Sequence, residues 1–108
     1  MKDDKIYIQH ILDAIDKINK FVKDVSYEQF VANDMMFGAV VREMQIIGEA
    51  AKLLSDDFKQ NESSVPGGAI TGFRNRAVHE YFDVNLQTVW ETIEIDLPKL
   101  KESLQKYL

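Results

Sequence analysis

Apolar residues in this chain recur at steps of three and four over long stretches, and that period constrains the fold more than any other feature. In the first stretch Ile8, Ile11, Leu12, Ile15, Ile18 and Val22 make one stripe of a helix. Asp3 and Asp4 stand at its start, where carboxylates suit the helix dipole. Ser26 with Gln29 three residues on reads as a capping box that opens a short helical turn. Asn33 or Asp34 then caps a second long helix, over residues 34–54, with Met36, Val40, Met44, Ile47, Ala51 and Leu54 on one face. A second apolar set, Val41, Ile46, Ala50 and Leu53, widens that stripe and leaves a narrow polar side of Arg42, Gln45, Glu49 and Lys52. A helix apolar over so much of its circumference is central to a bundle or lies at a subunit interface. Gly48 in its interior lowers helix propensity by ~1 kcal/mol, which points to close approach of another helix backbone.

Residues 55–68, SDDFKQNESSVPGG, gather Ser, Asp, Asn, Pro and a Gly pair and read as a linker. A third helix is expected from Ala69 to Val78. A fourth follows, in which Leu86, Trp90, Ile93, Leu97, Leu100, Leu104 and Tyr107 keep helical spacing. Pro98 interrupts it, so a kink or break is expected there. No strand pattern and no internal repeat compete with this reading. The expectation is an all-α bundle of four or five helices, with residues 1–108 as a single domain.

Composition narrows the function. The chain lacks cysteine, which removes disulfides and thiolate metal sites. It has no run of ~18 apolar residues, and its charged start lacks the apolar core of a signal peptide, so a cytoplasmic place is expected. The formal net charge of −5 argues against a broad nucleic-acid-binding face, so contact with RNA or DNA requires a local cationic site.

One such site exists, in FRNRAVHEYF at residues 73–82. At ~100° per residue Arg74 and Tyr81 share a helix face, as do Asn75 and His79. Arg74 and His79 stand ~140° apart, so they converge only if the helix ends near Val78 or if a second subunit supplies half of the site. The set suits a phosphodiester. Arg74 or Arg76 can hold two phosphate oxygens in a planar fork of donors. His79 can take or give a proton near neutrality. Asn75 can fix the imidazole or bond a sugar or phosphate oxygen, and Tyr81 offers a hydroxyl as donor or as acceptor of a modification. The same residues also have structural readings: a histidine favouring a helix C-terminus, arginines on a solvated face, aromatic rings in a core or rim. Glu49 can pair with a motif arginine or with Lys52. Met35, Met36 and Met44 read as packing and Trp90 as a core anchor. No carboxylate cluster suggests a metal, His10 has no partner at ligand spacing, and no cofactor is implied.

The spacing Arg74-x-x-x-x-His79-x-Tyr81 resembles the HepT-like family of the HEPN superfamily. SYEQF (26–30), IIGEAAKLLS (46–55), the VP before the third helix, GFRNRAVHEYFDVN (72–85) and VWETIEIDLPKL (89–100) resemble it in the same order, over most of the chain. The resemblance implies an all-α homodimer whose two motif copies face each other across a cleft. It implies the toxin of a toxin–antitoxin pair, a metal-independent endoribonuclease with an MNT-type nucleotidyltransferase as antitoxin. By position, Arg74 would stabilise the phosphorane and His79 would be the general acid or base, supported by Asn75, with Tyr81 the acceptor of AMP. One departure is Gly67-Gly68, where an aromatic anchor and a charged residue are expected; the pair should loosen the start of the third helix. It keeps open an alternative, a non-catalytic helical dimer that binds and scaffolds a nucleotidyltransferase. A nucleotide-binding bundle without RNA cleavage has no phosphate-loop motif in its support.

Overall fold

The computed structural model describes residues 2–63 and 86–108 of the chain. Among these the architecture is all-α. Helices α1 (Lys2–Val22), α2 (Tyr27–Val31), α3 (Asp34–Lys52) and α4 (Asp56–Ser63) are followed by α5 (Leu86–Glu91), a π-helical turn (Thr92–Asp96) and α6 (Leu97–Gln105). The expected third helix, at Ala69–Val78, lies outside the described residues.

The core is the meeting of three apolar stripes. Ile8, Ile11, Ile15 and Ile18 of α1 face Val40, Met44, Ile47 and Ala51 of α3, all of them buried. Val89, Ile93, Leu97, Leu100 and Leu104 close the third side. Each such side chain contributes about 1.5–3 kcal/mol by leaving water, which is why the helical period is kept so strictly here. Phe30 of α2 is fully buried, with its ring tilted against Trp90 at 5.1 Å between centres, and meets Phe37 edge-on at 5.9 Å. Trp90 is half-buried and packs against the core, as expected of an anchor, and the Tyr27 ring is tilted to it with centres 5.9 Å apart.

Local signals set the joints. Asp24 turns the chain out of α1 with φ 59, a left-handed conformation that aspartate tolerates better than most residues. The capping box is formed: the Gln29 amide donates to Ser26 Oγ at 3.1 Å, and the Ser26 amide donates to Gln29 Oε1 at 2.9 Å. Of the two candidate caps for α3, Asn33 is the one used; its Oδ1 accepts from the Met36 amide at 3.0 Å.

Several expectations are corrected. Residues 55–68 are not linker throughout, because Asp56–Ser63 is helical. Ser55 Oγ accepts from the Phe58 amide at 3.1 Å, and the Phe58 ring is buried edge-on against Tyr107 at 4.7 Å. A cap and one aromatic contact outweigh a composition that reads as loop.

Pro98 does not break the last helix. Proline has no amide to offer the Glu94 carbonyl, and its ring crowds that carbonyl. The preceding turn widens instead: the Leu97 amide donates to the Thr92 carbonyl, five residues back, and Pro98 falls in the first turn of α6. Thr92 Oγ1 donates to the Thr88 carbonyl at 2.8 Å inside the core.

Asp4 lies in the first turn of α1, as expected, but it does more than face the helix dipole. It is buried and receives two hydrogen bonds from Ser55. Met35, expected to pack, is 87% exposed. Gly48 has no described atom within 4 Å of where its Cβ would stand, so no helix of the described chain uses the space.

Candidate functional site

Arg74, Asn75, Arg76, His79 and Tyr81 lie outside the described residues. The described helices on either side of that segment show how its ends are held. Before it, the start of α4 is tied to the N-terminal turn of α1. The Ser55 amide donates to Asp4 Oδ1 at 2.7 Å, and the Ser55 hydroxyl donates to Asp4 Oδ2 at 2.6 Å. The same hydroxyl oxygen caps α4. Asp4 is 4% exposed, so its carboxyl oxygens rest on such donors in place of water. Phe58 then holds α4 against Tyr107 near the C-terminus.

After the segment, α5 is fixed by buried Val89 and by Trp90 on Phe30 and Tyr27. The helices entering and leaving residues 64–85 are therefore both bound to the core.

Glu49 is described. It is exposed on α3, on the polar side with Arg42, Gln45 and Lys52 that the sequence marks out. It is not gathered into any buried polar cluster of the described residues.

Two buried acids escaped the sequence reading. Glu43 is 7% exposed, on the α3 stripe that carries Met36 and Ile47. The signal was present: it stands seven residues after Met36 and four before Ile47, which puts it on the inward face. Asp4 carried no such signal, because its partner Ser55 is 51 residues away along the chain.

Among the described residues no group of His, Asp and Glu could hold a metal ion, and no helix is long and apolar enough to cross a membrane. His10 is exposed, its ring edge-on to Tyr7 at 6.2 Å.

Comparison with known proteins places the chain. A family model described as "Ribonuclease HepT-like" matches residues 11–107. The chain is 39% identical over 108 residues, all of this chain and 96% of the relative, to "Putative RNase TTE0752" of Caldanaerobacter subterraneus subsp. tengcongensis. It is 35% identical over 107 residues, 99% of this chain and 92% of the relative, to "Putative RNase MJ0125" of Methanocaldococcus jannaschii. It is 33% identical over 102 residues, 94% of this chain and 93% of the relative, to "Probable ribonuclease HepT" of Thermococcus cleftensis. No solved structure matches it. The resemblance read from runs of sequence thus extends across nearly the whole length, and the chain belongs to the ribonuclease HepT-like family.

Proposed function

We propose that the protein is a metal-independent endoribonuclease. We read it as the toxin of a toxin–antitoxin pair, working in the cytoplasm as a homodimer. The observation that carries this reading is Arg74-x-x-x-x-His79-x-Tyr81 within a chain that matches a ribonuclease family over residues 11–107.

The chemistry follows from the residue types. The ribose 2′-hydroxyl attacks the adjacent phosphorus and gives its proton to a base; the 5′-oxygen leaves and takes a proton from an acid. A 2′,3′-cyclic phosphate and a 5′-hydroxyl result. Because the nucleophile belongs to the RNA, no metal-bound water is needed. His79 is the acid or base, and Arg74 holds the charge that gathers on the phosphorane oxygens. Asn75 and Arg76 support the pair, and Glu49 stands by as a counter-charge. Two chains solve the geometry, since the ~140° between Arg74 and His79 on one helix no longer matters if each groove draws on both copies.

Control falls to an MNT-type nucleotidyltransferase. The Tyr81 hydroxyl attacks the α-phosphorus of ATP held by that enzyme, a phosphate ester to AMP forms, and pyrophosphate leaves. The bulky anion then occupies the site meant for RNA phosphate.

Induction of the chain alone, beside Arg74→Ala and His79→Ala, tests this. Arrested growth and degraded RNA are expected for the wild type and neither for the variants. Equal harmlessness of all three, with intact RNA, leaves the non-catalytic scaffold in its place. Intact mass after co-expression with the nucleotidyltransferase should show one AMP, absent from Tyr81→Phe.

A further inference from the structure

Helices α5 and α6 turn inward on two different lines. At ~100° per residue, with Thr88 at zero, the buried residues Thr88, Val89, Thr92 and Ile93 centre near 70°, whereas buried Leu97, Leu100 and Leu104 centre near 150°. The offset of about 80° is close to the ~100° of one residue. The apolar spacing of the sequence asks for something else. Leu86, Trp90, Ile93, Leu97, Leu100 and Leu104 fall within about 80° of arc on a straight helix. In the structure Leu86 and Trp90 are only half-buried, while Thr88 and Thr92 are turned inward. The π-helical turn at Thr92–Asp96 stands between the two lines. Its hydrogen bond, from the Leu97 amide to the Thr92 carbonyl, encloses one residue more than an α-helical bond, and that residue is the rotation.

We propose that this turn is a register joint set by Pro98: it holds α5 rotated by one residue from the facing its apolar spacing would choose, and so aims Trp90 at α2. The joint does not depend on the ribonuclease reading. In the α-helical register the amide of residue 98 would bond the Glu94 carbonyl, but proline has no amide and its ring crowds that carbonyl. The wider turn moves the bond to Leu97 and Thr92 and leaves Pro98 in the first turn of α6, where no amide is needed. The rotation sends the Trp90 ring to the side of the stripe, against Phe30 at 5.1 Å and Tyr27 at 5.9 Å, so α2 gains its anchor. Two threonines enter the core in exchange. Thr92 can do so because its hydroxyl donates to the Thr88 carbonyl at 2.8 Å within the same helix, a bond kept in either register. Ile95, in the turn, is 49% exposed. Taking that one residue out would bring Leu97, Leu100 and Leu104 to a centre near 50°, in line with the inward face of α5 and with no π-helical bond.

The sole tryptophan of the chain reports the register. Purified full-length wild type, Pro98→Ala, and Pro98→Ala with Ile95 also removed are compared by fluorescence emission, by acrylamide quenching and by NMR cross-peaks between the Trp90 and Phe30 rings. Circular dichroism follows helix content. Pro98→Ala gives residue 98 an amide for the Glu94 carbonyl, so α5 should turn by one residue and carry Trp90 into the stripe. Emission should then move to shorter wavelength, quenching should fall, and the cross-peaks to Phe30 should vanish at unchanged helix content. In the shortened double variant the turn is α-helical as well, but the missing residue restores the observed facing. Emission, quenching and cross-peaks should therefore return to those of the wild type. Loss of packing by the proline ring alone would not be rescued by shortening the chain. Three results would each overturn the proposal. A Pro98→Ala variant with wild-type emission and cross-peaks would mean that packing, not Pro98, sets the turn. A shift to longer wavelength with loss of helix would mean that α5 has no second register. A double variant that fails to recover would mean that the offset is not one residue.

Discussion

The inward and outward sides of α3 and its C-cap Leu53 share one helix but face different surroundings. Inward, Val40, Met44 and Ile47 are fully buried against α1 and the last helices, and every apolar position has its partner in the chain. Outward, Met35 and Leu53 are exposed, no described atom lies within 4 Å of where a Gly38 Cβ would stand, and Arg42, Gln45 and Glu49 are exposed. Among the described residues the inward side finds its partners within the chain, whereas the outward side faces solvent. Helical period alone does not tell these cases apart, since both sides contain apolar residues at helical spacing.

Substitutions can break that contrast. The largest effect belongs to the inward side: Ile47→Ala should lose about 2–5 kcal/mol of unfolding free energy in urea titration, through the lost burial and the cavity left behind. A loss below about 1 kcal/mol would mean that the stripe is not the core. Next is the tie between α1 and α4. Asp4→Ala leaves the Ser55 amide and hydroxyl without their buried acceptor and should lower stability by about 2–3 kcal/mol in the same titration, with Asp4→Asn keeping part of it. Asn33→Ala removes the cap of α3 and should reduce stability by about 1 kcal/mol. The smallest effect belongs to the outward side. Leu53→Asp should change the unfolding free energy by no more than about 0.5 kcal/mol, measured in dilute protein. A large change there would mean that Leu53 packs within its own chain.

Much of the fold was legible because it rests on local rules. The stripes of α1 and α3, the Ser26–Gln29 box and the Asn33 cap need only residues within a turn or two of one another. What was missed depends on distant partners. Helix α4 takes its cap from a serine whose hydroxyl is also bound to Asp4, and its anchor is a tyrosine near the far end of the chain. Pro98 marks a disturbance correctly, but its form, a widened turn before the proline, depends on the buried positions of Ile93, Leu97 and Leu100 that hold the helix in line. For the site the balance is reversed. Arg74, Asn75, Arg76, His79 and Tyr81 are legible from sequence alone, as a spacing of chemically apt residues, and lie outside the described structure. The structure contributes the anchored helices on either side of them and the outward placement of Glu49.

The ribonuclease reading is tested most directly by purified protein acting on a defined RNA oligonucleotide in the presence of a chelator, with the ends of the products analysed. The account predicts fragments ending in 2′,3′-cyclic phosphate and beginning with 5′-hydroxyl, made by the wild type and lost in His79→Ala. Intact RNA, cleavage that survives His79→Ala, or products bearing 5′-phosphate would contradict it.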